Sequence, residues 1–361
     1  MRRLILSLVG VGITSPQVGG SQRDAARQRV GGPMRLIRRG KLALLALLAA
    51  AFGVAALGKA AIVHAKVPGP NGLIAFSRQD FLTGGAVTYT ISPAGGAPQP
   101  LLSPFESGGP HWSPDGSLVA VASTLDQPCC DVLPYSSVIV NPDGGSFTAL
   151  PMQDPSVGTL CQIWAPDGRR LACDGENDND ASVNGVYTIR SSDGADLKRI
   201  TNAGGMFDIP IDYSPDGTRI VFGRTGPNHE CTTASGLFVV GADGGVPQRI
   251  TPHGWCDDDG SWSPDGRWIA FEHRGSLFVV HPDGSDLTKI PLAVGSRAFG
   301  GDFSWSPDGQ QLVFLVFVVT GPGQFYEGIA TANADGTNVR QLTISPSFDN
   351  QPDWGPHPIT P

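Results

Sequence analysis

The chain has 361 residues, of which 48 are glycine and 31 proline, with 40% hydrophobic and 16% charged residues. That much Gly and Pro argues against a helical bundle and for many short strands joined by tight turns. Beyond the N-terminal segment no apolar run approaches membrane-span length, which excludes a polytopic membrane protein. The formal net charge is −8, but residues 66–361 alone hold 15 basic and 32 acidic residues, a net of −17. Such a surface repels nucleic acid and anionic lipid and favours cations or basic partners.

In chain order, residues 1–33 show no strong periodicity and read as a non-native or disordered extension. Met34 opens a complete export leader, with basic RLIRRGK at 35–41, an apolar run at 42–58 and the small-residue cleavage pattern Val63-His64-Ala65. Residues 34–65 are therefore expected to be a signal peptide or N-terminal anchor, with cleavage after Ala65 favoured because the apolar run is at the bottom of the spanning range. Either way the remainder, 66–361, is exported: periplasmic, extracellular or tethered outside the cytoplasm, with membrane contact only through an uncleaved leader. All six cysteines (Cys129, Cys130, Cys161, Cys173, Cys231 and Cys256) follow the leader, and an even count in an exported chain reads as disulfides.

A repeat organises everything after residue 66. The units are HWSPDGSLVAVAS (111–123), IWAPDGRRLACDG (163–175), DYSPDGTRIVFGR (212–224), SWSPDGRWIAFEH (261–273) and SWSPDGQQLVFLV (304–316). A second turn of the type NPDGG, SSDGA or GADGG follows in each, and a closing strand such as DLKRIT or VPQRIT comes after it. Pro and Asp-Gly are turn formers, and the period-2 alternation beside them fits strands. Four short strands per unit make the blade of a β-propeller. The ends hold complementary halves: GPNGLIAFSR (69–78) starts in mid-motif, and DNQPDWGPHP (349–358) stops after the Trp strand. The expected fold is all-β, a six-bladed β-propeller of four-stranded blades closed by pairing of its N- and C-terminal segments. Trp112, Trp164, Trp262, Trp305 and Trp354 recur at one place in the repeat and should pack between blades.

The unit W-S-P-D-G-x-x-[IL]-[AV]-F, followed by V-x-x-x-D-G and a closing [IL]-T, resembles the repeats of the TolB-type β-propeller family. The likeness covers residues 69–358. It extends to the propeller only, because nothing here matches the separate α/β domain that precedes it in TolB. The family's known partner, a peptidoglycan-associated lipoprotein, is therefore not carried over directly.

Blade topology puts the short PDG and DG turns on one face and the long, varied loops on the other, and irregular loops on a rigid scaffold are where binding concentrates. Asp208, Asp257 and Asp349 each precede the aromatic of their strand by five positions, and Asp302 lies near that place in its own blade. With Asp258, His111, His253 and Trp255 they are the candidate binding face. Strand capping at blade junctions is the plainer role for these carboxylates; a site for a cation or a basic peptide is the sharper one. Cys231–Cys256 is expected as a disulfide, and Cys129 or Cys130 is expected to bridge to Cys161, leaving Cys173 without an assigned partner. No motif calls for a cofactor, and calcium at the channel mouth is the one candidate the carboxylates raise; the run DGENDND (174–180) lacks the Gly and final Glu of a calcium loop. No nucleophile elbow, zinc-protease motif or phosphate loop is present. The expected function is a non-catalytic scaffold that binds a protein or peptidoglycan-associated envelope partner. The alternative is a polysaccharide-active enzyme similar to oligogalacturonate lyases, with a metal in the channel mouth.

Overall fold

The computed structural model describes residues 70–79, 85–101, 106–123, 136–177, 179–257, 259–292, 294, 297–321, 324–344 and 348–357. The extension and leader expected over 1–65, together with Cys129, Cys130 and Asp258, lie outside the described residues. No helix among the described residues is long and apolar enough to cross a membrane.

Six four-stranded sheets account for the fold. Blade 1 joins β1 (Asn71–Gln79), β2 (Ala86–Ile91) and β3 (Gln99–Pro100) to the last strand of the chain. Blade 2 is β4 (Ser107–Trp112), β5 (Val119–Ser123), β6 (Ser136–Val140) and β7 (Phe147–Ala149). Blade 3 is β8 (Gly158–Trp164), β9 (Arg170–Glu176), β10 (Gly185–Arg190) and β11 (Lys198–Arg199). Blade 4 is β12 (Phe207–Tyr213), β13 (Arg219–Thr225), β14 (Gly236–Gly241) and β15 (Gln248–Arg249). Blade 5 is β16 (Gly260–Trp262), β17 (Ile269–Glu272), β18 (Leu277–Val280) and β19 (Thr288–Ile290), and blade 6 is β20 (Arg297–Trp305), β21 (Gln311–Gly321), β22 (Gln324–Asn333) and β23 (Arg340–Gln341). The final strand β24 (Phe348–Pro356) pairs with β1, so the ring closes as the split repeat requires.

The repeated Ser-Pro-Asp-Gly turn explains its own sequence. In blade 2 the Ser113 hydroxyl donates to Asp115 at 2.6 Å, the same carboxylate accepts from the Ser117 amide at 3.0 Å, and Ser113 Oγ accepts from the Leu118 amide at 2.9 Å. The same three bonds recur around Asp216, Asp265 and Asp308. Gly closes each turn at φ near +70° (+68° at Gly116, +71° at Gly266), a conformation that strains any other residue.

Each second strand buries an aromatic or aliphatic residue from its LIAF-type run. Phe76, Phe222, Phe271 and Phe314 are all fully buried, each stabilising the fold by roughly 1.5–3 kcal/mol. The strand-1 aromatics lie between blades. Trp112 of blade 2 covers Gly355 of blade 1 so closely that a Cβ there would enter its ring. Trp164 of blade 3 donates its indole N–H to the His111 carbonyl of blade 2 at 3.1 Å. The fourth strands are two or three residues long, so little sheet edge is exposed.

Candidate functional site at the channel mouth

The innermost strands of all six blades surround a central cavity of about 70 Å³, lined by Pro114, Pro166 and Pro215 of the short turns and, from each blade in turn, by His111, Ile163, Asp212, Ser261, Ser304 and Asp353. The latter are the residues immediately before the repeated aromatics. They tie the ring together. Asp353 accepts from the Trp112 amide of blade 2 and from the Ser304 hydroxyl of blade 6, both at 2.8 Å. Asp212 accepts from the Trp262 amide of blade 5 at 2.8 Å. Sequence reasoning passed over both carboxylates, although their place one residue before Tyr213 and Trp354 marks them.

A second tier of blade-to-blade bonds lies nearer the long-loop face. Asp302 of blade 6 accepts from the Gln351 amide of blade 1 at 3.2 Å, and Gln351 Oε1 accepts from the Gly109 amide of blade 2 at 3.1 Å. Gln162 of blade 3 then donates to the Gly109 carbonyl. Asp302, Gln351 and Gly109 all stand three residues before their aromatics and all have positive φ, at +36°, +50° and +58°. The bulges that this backbone creates turn one residue per strand toward the neighbouring blade.

Asp208, Asp257 and Asp349 are buried, at 2%, 5% and 0% exposure. Each faces a base at or just past the end of the second strand of its own blade. Asp349 accepts from Nε and Nη2 of Arg78 at 2.6 and 2.8 Å. Asp208 accepts from the same atoms of Arg224 at 2.6 and 2.7 Å, and from the Thr201 hydroxyl at 2.6 Å. Asp257 meets Nδ1 of His273 at 2.6 Å. The bond to Asp349 raises the Arg78 pKa above its ordinary value. Both guanidinium groups also lie over aromatic faces, Arg78 over Phe76 and Tyr89, Arg224 over Phe222 and Phe238. The charges of Asp208 and Asp349 are thus matched inside the fold by arginine. The bases were legible as a pattern: Phe76-Ser77-Arg78, Phe222-Gly223-Arg224 and Phe271-Glu272-His273 share one spacing.

The other candidates are dispersed. His111 lines the channel. His253 is exposed, with Nδ1 3.3 Å from the Thr233 carbonyl. Trp255 is half-buried and stacks on His273 with ring centroids 3.7 Å apart. Glu327, near Asp302 and Asp349, has its carboxyl pushed up to about 7, first by burial and then by the Asp302 charge. In the run 174–180, burial and then the charge of Glu176 push Asp174 up to about 7, while Asp180 caps the short 3₁₀ turn Ala181–Val183. No group of three His, Cys, Asp or Glu side chains among the described residues converges as a metal site.

Two disulfides are present among the described residues. Cys231–Cys256 joins the loop after β13 to the connection entering blade 5. Cys161 pairs with Cys173, which corrects the expected bridge from Cys161 to Cys129 or Cys130. The two cysteines are directly opposed on β8 and β9, with Cα atoms 3.9 Å apart, so Cys161 meets its partner within its own hairpin.

Fold and site define a six-bladed propeller with hydrogen-bonded blades, one short-turn face and one long-loop face. A family profile described as the TolB beta propeller domain matches residues 156–357, and the chain belongs to that family. Among relatives, the uncharacterized protein Atu1656 of Agrobacterium fabrum is 26% identical over 215 residues, covering 56% of this chain and 67% of that protein. Among solved structures, TolB from Acinetobacter baumannii superposes with a TM-score of 0.61 at 19% identity, over 79% of this chain and 67% of that one. The oligogalacturonate lyase of Vibrio parahaemolyticus superposes with a TM-score of 0.50 at 14% identity, over 74% and 73%. At these identities the structural likenesses show a shared fold.

Proposed function

We propose that this protein is an exported scaffold whose long-loop face docks a protein or peptidoglycan-associated component of the cell envelope. The observation that carries the reading is the contrast between the two faces. The short-turn face is built from short PDG and DG turns, four of which satisfy themselves with the same three bonds. The long-loop face differs from blade to blade and is braced by the Cys231–Cys256 bridge and three buried acid–base pairs. Rigid support beneath varied loops lowers the ordering cost of binding. Two disulfides fit an oxidising compartment. Membership of a family named for TolB supports an envelope partner.

The test is capture from an envelope extract by the immobilised protein, with exposed residues substituted on one face at a time. Substituting Glu230 and His253 on the long-loop face should abolish recovery of specific proteins, whereas Arg267→Ala with Asp283→Ala on the short-turn face should not. Loss of capture from the short-turn face alone would overturn the assignment.

A further inference from the structure

The two disulfides differ in what surrounds them. Cys161 and Cys173 are 2% and 0% exposed, within a paired hairpin and the core cluster shared by blades 2 and 3. Cys231 is exposed and Cys256 half-buried. Cys231 sits in the segment between β13 and β14, which holds one 3₁₀ turn, Pro227–His229, and no strand. The loop around it is held mainly by its own short-range bonds, Gly226 to the Glu230 carbonyl at 2.8 Å and the Thr232 amide to the Ser235 hydroxyl at 3.0 Å, and by Arg249, which donates to the carbonyls of Ala234 and Ser235.

Cys256 stands between two residues that hold the same side chain. Trp255 stacks on His273 with an interplanar angle of 9°, and Asp257 bonds His273 Nδ1 at 2.6 Å. His273 belongs to blade 5, whereas Cys231 belongs to blade 4. The Cys231–Cys256 bond therefore cross-links a loop of blade 4 to the connection that enters blade 5, and it restrains the segment beside His273.

We propose that Cys231–Cys256 is a reducible clamp on the long-loop face, a substrate for a dithiol reductant, and that Cys161–Cys173 is a permanent structural bridge. A thiolate of the reductant attacks the accessible Cys231 Sγ, forming a mixed disulfide as Cys256 leaves as a thiolate and takes up a proton. The reductant's second thiol then attacks its own sulfur in that mixed disulfide and releases Cys231. Two electrons and two protons pass to the protein, and the dithiol becomes a disulfide. Accessibility selects the first bridge because attack requires the thiolate to reach a sulfur. Once opened, the segment 251–257 keeps its contacts to His273 and the bonds of Thr251 and His253 to blade 4, but loses its covalent cross-link to the loop that holds Cys231. The inference stands on the two bridges alone and does not depend on the docking reading.

The experiment is graded reduction of the folded protein by dithiothreitol without denaturant, with isotope-coded alkylation and peptide mapping, followed by hydrogen exchange of the reduced form. Cys231 and Cys256 should be labelled roughly tenfold or more faster than Cys161 and Cys173. Exchange should accelerate at 251–257 and around His273 while the strands of blade 3 keep their protection. The Cys231→Ser/Cys256→Ser variant should reproduce that exchange pattern. If that variant does not fold, reduction of the native protein still decides the matter. Simultaneous opening of both bridges, or opening of Cys231–Cys256 without faster exchange at 251–257, would overturn the proposal.

Discussion

Asp353→Ala should loosen the seam at which the ring closes. The Asp353 carboxylate is 4% exposed and receives two 2.8 Å bonds, from the Trp112 amide of blade 2 and the Ser304 hydroxyl of blade 6. Hydrogen bonds to a charged group contribute about 1.5–3 kcal/mol each, and their donors are left desolvated when the acceptor is removed. The expected loss is about 3–5 kcal/mol, a large share of the ~5–15 kcal/mol available to a folded domain. Urea unfolding followed by tryptophan fluorescence measures it. Asp212→Ala is the control, because Asp212 makes the equivalent bond to Trp262 between blades already joined in sequence. The seam variant should also show faster hydrogen exchange in β24 and β1 under native conditions, which the control should not. A loss below about 1 kcal/mol, or equal exchange in the two variants, would refute the idea that this carboxylate fastens the ring.

Arg224→Ala strands the buried Asp208 charge and should cost about 3–5 kcal/mol; adding Asp208→Asn should recover part of that loss in denaturant titrations. Asp174 is pushed from its ordinary value up to about 7 in the folded protein. Between about pH 4 and 7 the folded state therefore keeps a proton that the unfolded chain has lost, so this group makes stability fall as pH rises through that window. Asp174→Asn should flatten that part of the stability–pH curve, as measured by thermal unfolding. Peptide mapping without reduction should recover Cys161 linked to Cys173 and Cys231 linked to Cys256, and recovery of Cys161 linked to Cys129 or Cys130 would contradict the hairpin pairing.

The blade and its turns are local properties and could be read from the sequence. Ser113-Pro114-Asp115-Gly116 and its copies bond within six residues of themselves, so the motif already contains its own partners. Ring closure was legible for a different reason: the half-repeats holding Phe76 and Trp354 leave a single way to complete a blade. Partner choice at the mouth was not legible. Counted strictly back from the turn in blade 3, Cys173 would oppose Gln162, but a bulge between Cys161 and Ile163 moves the pairing to Cys161. In blade 4 a strict count sets Arg224 against Ile209, and the bulge between Pro210 and Asp212 brings it opposite Asp208 instead. One inserted residue exchanges the two faces of a strand. The six blades, their turns and their closure follow from local turn chemistry and repeat order, both of which are written along the chain. Which carboxylate meets which base, and which cysteine meets which, depends instead on the folded backbone, through bulges where the innermost strands bend around the channel.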